Sequence, residues 1–131
     1  VMEHLEHLGE VWQQLHEMLT EKGLLIVAVP NCSSYDAQRY GEYWAAYDVP
    51  RHLWHFTPGT IQQLASRHGF IMAARHPMPF DAFYVSMLSE KHRGSSCSFL
   101  KGMYVGILAW FSALGRKERS SSMIYVFRKK R

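Results

Sequence analysis

Six consecutive apolar residues, from Leu24 to Val29, form the most distinctive hydrophobic segment of the chain. The segment follows Gly23 and stops at Pro30 and Asn31, so turn residues bound it on both sides. A strand that is apolar at every position is typical of a parallel sheet with helices on both faces. Ligands of such sheets bind beyond the carboxyl ends of the strands, which places Pro30 and Asn31 beside a candidate site.

Helical and strand patterns alternate on both sides of this segment. Residues 10–19 predict a helix, because apolar side chains recur on one stripe: Leu8, Val11, Trp12, Leu15, Met18 and Leu19. The Thr57-Pro58 pair is typical of a helix start, and Gly69 of a helix end. Residues 70–74 and 123–127 predict two further strands. The alternation predicts an α/β fold.

Two stretches carry weaker patterns. Residues 31–56 contain one short helical pattern, within residues 33–43, and otherwise predict a long loop, which in a compact domain is commonly functional. Composition shifts after Pro79: residues 83–88 favour a helix, and residues 99–114 are almost wholly apolar.

Composition and charge narrow the class of protein. The 131 residues suit one domain, and 47% hydrophobic residues support a packed core. Cys32 and Cys97 lack the spacing of metal ligands, so we expect both to be free thiols in the cytoplasm. Residues 1–20 do not have the pattern of a secretory signal peptide. The formal net charge is +4, with much of it in residues 116–131, but no nucleic-acid-reading motif accompanies it. We therefore expect no nucleic-acid partner.

Four motifs follow one another along the chain: Glu3-His4-Leu5, Lys22-Gly23-Leu24-Leu25, Val29-Pro30-Asn31 and Pro50-Arg51-His52-Leu53-Trp54-His55-Phe56-Thr57. With them the chain resembles the C-terminal half of a class I S-adenosylmethionine-dependent methyltransferase of the methyltransferase domain 23 type. The resemblance covers roughly residues 1–76 and, more loosely, the last strand. The run from Pro50 to Thr57 is its most specific part.

The resemblance implies a fold. The strands would be strands five, six and seven of a Rossmann-like, seven-stranded sheet, with the last strand antiparallel and inserted between the other two. Residues 82–119 would form a helical insertion before that strand, within one domain of residues 1–131. The family holds its cofactor with a glycine-rich turn and a later acidic residue, and no Gly-x-Gly occurs in this chain. We therefore expect a C-terminal fragment that is inactive alone.

The resemblance also implies roles for individual residues. The cofactor would be S-adenosylmethionine and the acceptor a small molecule. His52 and His55 would be catalytic, since histidine changes its charge near neutral pH. Acceptor binding is predicted for Asn31, Trp44, Tyr47, Arg51 and Trp54. Glu3 and His4 would lie at the cofactor edge.

Metal binding is a separate question at the same positions. Some related quinone-biosynthesis O-methyltransferases hold a divalent cation with an acidic-x-x-Glu-His run. Only the last two residues of that run, Glu3 and His4, are present here, so we expect no metal.

Structural alternatives exist for several of these residues. Arg51 could pair with Asp48 instead of clamping an anionic acceptor. Trp54 could anchor the loop instead of stacking on a flat acceptor. Asn31 could form an Asx turn that ends the strand.

A non-enzymatic interpretation competes with the methyltransferase. Residues 99–119 combine an apolar run, broken by Lys101, with Arg116, Lys117 and Arg119. Such a segment could lie at an anionic membrane, although a core helix or a dimer face is the commoner use of apolar runs. The chain would then be a binding or peripheral membrane-associated module on a degenerate methyltransferase half. An exposed sheet edge would also favour a homodimer.

Overall fold

The computed structural model describes all 131 residues, from Val1 to Arg131. The helices and strands in chain order are α1 (Leu8–Met18), β1 (Leu24–Pro30), α2 (Tyr35–Tyr40), α3 (Pro58–Arg67), β2 (Phe70–Met78), α4 (Asp81–His92), α5 (Ser98–Gly115) and β3 (Ser122–Lys129). Short 3-10 helices lie at Met2–His4, Gly41–Tyr43, Ala45–Tyr47 and Lys117–Arg119. The predicted α/β class is confirmed.

The three strands form one sheet in the order β1-β3-β2, with β3 antiparallel to both neighbours. β1 and β2 therefore run parallel to each other, and the last strand of the chain lies between them, as predicted. Pro30 at the end of β1 and Met78 at the end of β2 both pair with Ser122 at the start of β3. The C-terminal ends of the two outer strands thus meet at one edge of the molecule.

One face of the sheet packs on α1 and α3 and forms the larger hydrophobic core. Trp12 of α1 is fully buried there, edge-on to Phe70 and Phe127 with ring centroids 5.5 Å from each. Ile61 of α3 is equally inaccessible to solvent. The apolar stripe predicted for the first helix therefore faces the sheet except at Met18, which is 81% exposed. α1 begins two residues earlier than the predicted residue 10.

β1 is not covered on both faces, which corrects the expectation drawn from its continuous apolar sequence. It is an edge strand that pairs only with β3. Leu24 and Ile26 are 57% and 65% exposed, whereas Val27 and Val29 are buried. Successive side chains of a strand point to opposite faces, and the elements of these 131 residues cover only one of them.

β2 is longer than its sequence predicted. The pattern indicated residues 70–74, whereas the strand continues to Met78 and includes Pro77. β2 is the other edge of the sheet, and an edge strand tolerates proline because one of its sides makes no ladder hydrogen bonds. A register shift between Met72 and Ala74 bends the strand at its middle.

The start of α3 confirms the predicted cap. Thr57 Oγ1 accepts from the backbone N–H of Thr60 at 3.1 Å, and Thr60 Oγ1 accepts from that of Thr57 at 2.8 Å. This reciprocal pair is a capping box. Phe56, just before the cap, bridges to Asn31 just after β1, so residues 32–55 form a loop closed at its base.

α4 and α5 fill the predicted helical segment 82–119 and form an antiparallel hairpin. A Cβ atom at Gly102 would lie 2.5 Å from Cα of Met87, and one at Gly106 would lie 3.0 Å from Cα of Phe83. The hairpin packs against the loop through a second hydrophobic cluster of Ala37, Tyr40, Trp44, Val85 and Val105. The close approach of the two helices therefore depends on the two glycines.

We expect Gly102→Ala to lower the free energy of unfolding by about 1–3 kcal/mol, the usual cost of forcing a methyl group into packed structure. The matched control is Gly115→Ala at the end of the same helix, where an added Cβ meets no atom within 4 Å. Urea denaturation of both variants measures the difference. Equal stability of the two would show that α4 and α5 separate without cost.

Candidate functional site

A cavity of about 470 Å³ opens at the C-terminal end of β1, between residues 45–52 and α4. Its wall consists of Pro30, Ala45, Ala46, Asp48, Arg51, His52, Asp81, Tyr84, Val85, Leu88 and His92. The position agrees with the rule that ligands of open α/β sheets bind beyond the carboxyl ends of strands. Charged groups stand beside apolar ones, which suits a polar small molecule.

A tight turn holds three polar groups at this cavity. Asp48 has a left-handed backbone with φ of 40°, and its carbonyl accepts from the N–H of His52 at 2.9 Å. Arg51 donates to Asp48 Oδ1 from Nη2 at 2.8 Å and from Nε at 3.1 Å. The pairing named as the alternative for Arg51 is therefore present. The Arg51 side chain is 78% exposed, and ion pairs at such exposure are weak enough to exchange for a ligand anion.

His52 is oriented by a backbone carbonyl. Its Nδ1 lies 2.8 Å from the carbonyl oxygen of Ala46, which can only accept, so Nδ1 carries the proton in the neutral ring. Nε2 lies 3.8 Å from Asp48 Oδ2 and 3.9 Å from Glu3 Oε1. With the side chain only 12% exposed, the unprotonated nitrogen and two carboxylates form a compact group.

Glu3 and His4 lie against the same turn. His4 Nδ1 donates to the carbonyl of Arg51 at 2.9 Å, and His4 Nε2 is 3.8 Å from Glu3 Oε1. Burial raises the pKa of the Glu3 carboxyl, whereas a backbone hydrogen bond and the charge of His52 lower it. Ligand atoms of Glu3, His4 and His52 lie within 4.8 Å of one another, close enough to hold a cation. The expected absence of metal stays a prediction.

His55, Tyr47 and Trp54 do not line the cavity. His55 Nε2 donates to the carbonyl of Tyr47 at 2.9 Å, and its ring lies edge-on to the Tyr47 ring at 5.0 Å. Burial, and secondarily the nearby Cys32, raise the pKa of the Tyr47 phenol. Trp54 donates from Nε1 to the carbonyl of Leu5 at 2.7 Å, which is the loop anchor named as its alternative.

Asn31 and Trp44 are buried instead of facing a ligand. Asn31 Oδ1 accepts from the N–H and hydroxyl of Ser33, which forms the Asx turn named as its alternative. Asn31 Nδ2 donates to the carbonyls of Glu118 and Ser120 at 2.7 and 2.9 Å. Trp44 is 2% exposed. A contact with an acceptor would require either residue to break its present packing.

Asp36 is a buried acceptor that the sequence patterns did not identify. It is 0% exposed, and its Oδ2 accepts from Trp44 Nε1 at 2.8 Å and from the Ser121 hydroxyl at 2.7 Å. The carboxylate thus joins the loop to the start of β3. Its position within α2 gives no amphipathic signal, because polar residues at helix starts are usually exposed caps.

We expect Asp36→Ala to lower the free energy of unfolding by about 2–4 kcal/mol, because it leaves two buried donors without an acceptor. Asp36→Asn is the control, since its side-chain oxygen can still accept from Trp44 and Ser121. We expect a clearly smaller loss for this variant in urea denaturation. Equal losses would mean that the two hydrogen bonds contribute nothing to stability.

α4 supplies three polar cavity groups that sequence reasoning missed: Asp81, Tyr84 and His92. Asp81 also accepts a hydrogen bond from the hydroxyl of Ser122, which joins α4 to β3. The spacing of these residues could have indicated that they act together, because positions 81, 84, 88 and 92 fall on one face of a helix. That face mixes polar and apolar residues, so no amphipathic contrast marks it.

Known proteins similar to this chain include a protein family and a solved structure. A family model described as a methyltransferase domain matches residues 1–74, which is more than half of the chain. No curated protein matches the chain significantly. Among solved structures, a protein from Galdieria sulphuraria assigned as a sarcosine dimethylglycine methyltransferase is similar, at 15% identity and a TM-score of 0.49. The match covers 93% of this chain and 47% of that protein, so the chain spans about half its length.

Proposed function

The chain belongs to the methyltransferase domain family, and from this premise we propose that it forms the acceptor side of an S-adenosylmethionine-dependent methyltransferase acting on a small molecule. The cavity at the C-terminal end of β1 carries the proposal. Methyl transfer from a sulfonium is an in-line displacement, which needs alignment and sometimes removal of the acceptor's proton. A cavity with one oriented base and one anion-binding group meets those needs.

In this proposal His52 removes the acceptor's proton. The Ala46 carbonyl fixes the tautomer that leaves Nε2 free, and the carboxylates of Glu3 and Asp48 would stabilise the imidazolium that forms. Arg51 would exchange its exposed pairing with Asp48 for an anionic group of the acceptor. His55 is given no role in proton transfer, because its Nε2 is engaged with Tyr47 outside the cavity.

S-adenosylmethionine is the cofactor that the family implies, but the residues present do not fit the whole of it. No Gly-x-Gly turn, which would let the backbone approach the cofactor, occurs in the sequence. The carboxylate of Glu3, at the predicted cofactor edge, is directed toward the two histidines, His4 and His52. We therefore assign only acceptor-side groups to this chain and propose that it is inactive without a glycine-rich turn from elsewhere.

We further propose that β1, β3 and β2 are the last three strands in a seven-stranded sheet that continues from the free edge of β1. Support comes from a groove of about 400 Å³ at that edge, lined only by apolar residues of the N-terminal segment, α1 and β1. An unpaired strand beside apolar surface is a template for the addition of another strand. The helices that connect the added strands would then cover the exposed side chains of Leu24 and Ile26 on the open face of β1.

Calorimetric titration with S-adenosylmethionine tests the proposal. We expect no binding by the 131-residue chain and saturable binding by a chain extended with the sequence encoded before Val1. Valine in place of the glycines of a Gly-x-Gly turn in that extension is the control, and should abolish binding because a side chain would block the backbone's approach. An extended chain that fails to bind would contradict the proposed activity.

The free edge of β1 also predicts that the 131-residue chain forms a homodimer. Ile26→Lys should shift the chain to monomer, because a charge on an exposed edge strand opposes strand addition. Ile71→Lys on β2, the other edge of the sheet, is the matched control and should leave the dimer intact. Sedimentation equilibrium measures both. A monomeric unsubstituted chain would disprove this prediction.

A further inference from the structure

In α5 the small residues face the interior of the protein and the large apolar residues face outward. Its buried face carries Gly102, Val105, Gly106, Ala109 and Ala113. The opposite face carries five large residues that are 42–69% exposed, here called the outer stripe: Leu100, Tyr104, Ile107, Phe111 and Leu114. A helix that covers a soluble core shows the reverse arrangement, so the outer stripe lacks the partner that its composition fits.

By length and composition alone, α5 could cross a membrane. Only 28% of its residues are buried inside the protein. It is therefore not the core helix that such composition commonly indicates. Charged residues oppose a position across the membrane, because Lys101 lies in the first turn of α5 and the helix packed against it, α4, contains Asp81 and Glu90. α5 is therefore better suited to lie along a membrane surface. An interfacial helix needs one apolar face, which the outer stripe supplies.

A basic cavity of about 360 Å³ adjoins the N-terminal end of the outer stripe. Arg39, Arg93 and Lys101 line it together with Tyr104. The carboxylate in its wall, Glu90, is 5% exposed and accepts from the Tyr40 hydroxyl at 3.1 Å. Three cationic groups around one such space suit a phosphate group. The Ser95 hydroxyl, also in the wall, is buried without a hydrogen-bond partner and could donate to the same ligand.

The other end of the outer stripe is basic as well. Arg75, Arg116 and Lys117 line a second cleft there, with Glu118 paired to Arg75. Two copies of the chain placed stripe against stripe would bring positive charge against positive charge in either orientation. An anionic surface would instead be attracted at both ends of the helix. The charges therefore favour lipid over a second copy as the occupant.

We propose that the outer stripe lies in the surface of an anionic phospholipid bilayer, with a headgroup phosphate in the cavity between Arg39, Arg93 and Lys101. The apolar side chains enter the boundary between headgroups and acyl chains, while the basic groups at both ends of α5 bind headgroups. This function does not depend on the proposed methyl transfer. The acceptor cavity lies on the far side of α4, where His92 and Tyr84 line it.

Co-sedimentation of the 131-residue chain with vesicles tests the proposal. We expect binding to vesicles of phosphatidylcholine with phosphatidylglycerol to be at least about tenfold tighter than binding to phosphatidylcholine alone, because a few basic residues contribute that much at an anionic surface. The double variant Arg39→Gln/Lys101→Gln should lose most of this preference. Arg128→Gln/Lys130→Gln, which removes two charges at the end of β3 remote from α5, is the matched control and should keep it.

The apolar contribution is tested separately with Ile107→Ser/Phe111→Ser. Both positions are exposed, so we expect the variant to fold normally by circular dichroism and to bind anionic vesicles at least about tenfold more weakly. Inorganic phosphate at constant ionic strength should compete only partly; complete displacement would identify a free-phosphate site and overturn the lipid assignment. No binding to anionic vesicles, or a lipid-free dimer that this variant abolishes, would also overturn it.

Discussion

In the extended chain that we propose to bind S-adenosylmethionine, replacing His52 with asparagine should lower kcat by about 10²- to 10⁴-fold, the usual contribution of a positioned general base. Asparagine can still donate to the Ala46 carbonyl from its side-chain amide, so the turn that holds Asp48 and Arg51 is retained. What the variant lacks is the free Nε2. Steady-state methyl transfer from labelled S-adenosylmethionine measures the loss, and KM for the acceptor should change much less than kcat.

His55→Asn is the matched control for this experiment. His55 is three residues away and lies outside the cavity, with Nε2 engaged by the Tyr47 carbonyl. We expect its substitution to lower kcat by less than about tenfold, as a structural contact would. Equal losses at both positions, or no loss at His52, would rule out His52 as the base.

The sequence directed attention to residues 48–55, and part of this run lines a cavity in the structure, but the sequence could not orient the side chains. Residues 48–55 are a candidate site because they contain several side chains that can bind or deprotonate a ligand. In a regular element the period tells which side chains share a face, but here the chain turns through 3-10 helices and the left-handed Asp48. Nothing in the sequence therefore distinguishes His52, at the cavity, from His55, outside it.

Two apolar segments show where sequence patterns stop predicting burial. Leu24 to Val29 predicts a strand covered on both faces, and β1 has one face open. Residues 99–114 favoured a core helix or dimer face, and α5 turns its larger residues outward. In both cases the pattern identifies an apolar segment, but the segment alone does not determine which of its faces other elements cover.

The elements whose boundaries depend on a few neighbouring residues were the most predictable. The capping box of Thr57 and Thr60 lies in four residues, so the start of α3 could be read directly from the sequence. The C-terminal part of β2 could not, because Pro77 is disfavoured in strands except at a sheet edge. Whether a strand lies at an edge depends on pairing with β3, which is more than forty residues away in the chain.

Trp12→Ala should lower the free energy of unfolding by about 3–5 kcal/mol, the range measured for removing a large buried aromatic side chain. Trp12 is 0% exposed and contacts Phe70 and Phe127 edge-on, so its removal leaves a cavity between α1 and the sheet. Domains of this size are commonly stable by about 5–15 kcal/mol, so the loss would be a large part of the total. Urea denaturation followed by circular dichroism measures it.

Two further substitutions separate burial from residue type. Trp54→Ala removes the same side chain where it is 42% exposed, and should cost about 1 kcal/mol through the lost bond to the Leu5 carbonyl. Trp12→Phe should cost much less than Trp12→Ala, because it keeps most of the ring and also removes an indole N–H that is buried without a partner. If Trp12→Phe were as damaging as Trp12→Ala, the core would depend on the shape of the indole and not on the apolar area it buries.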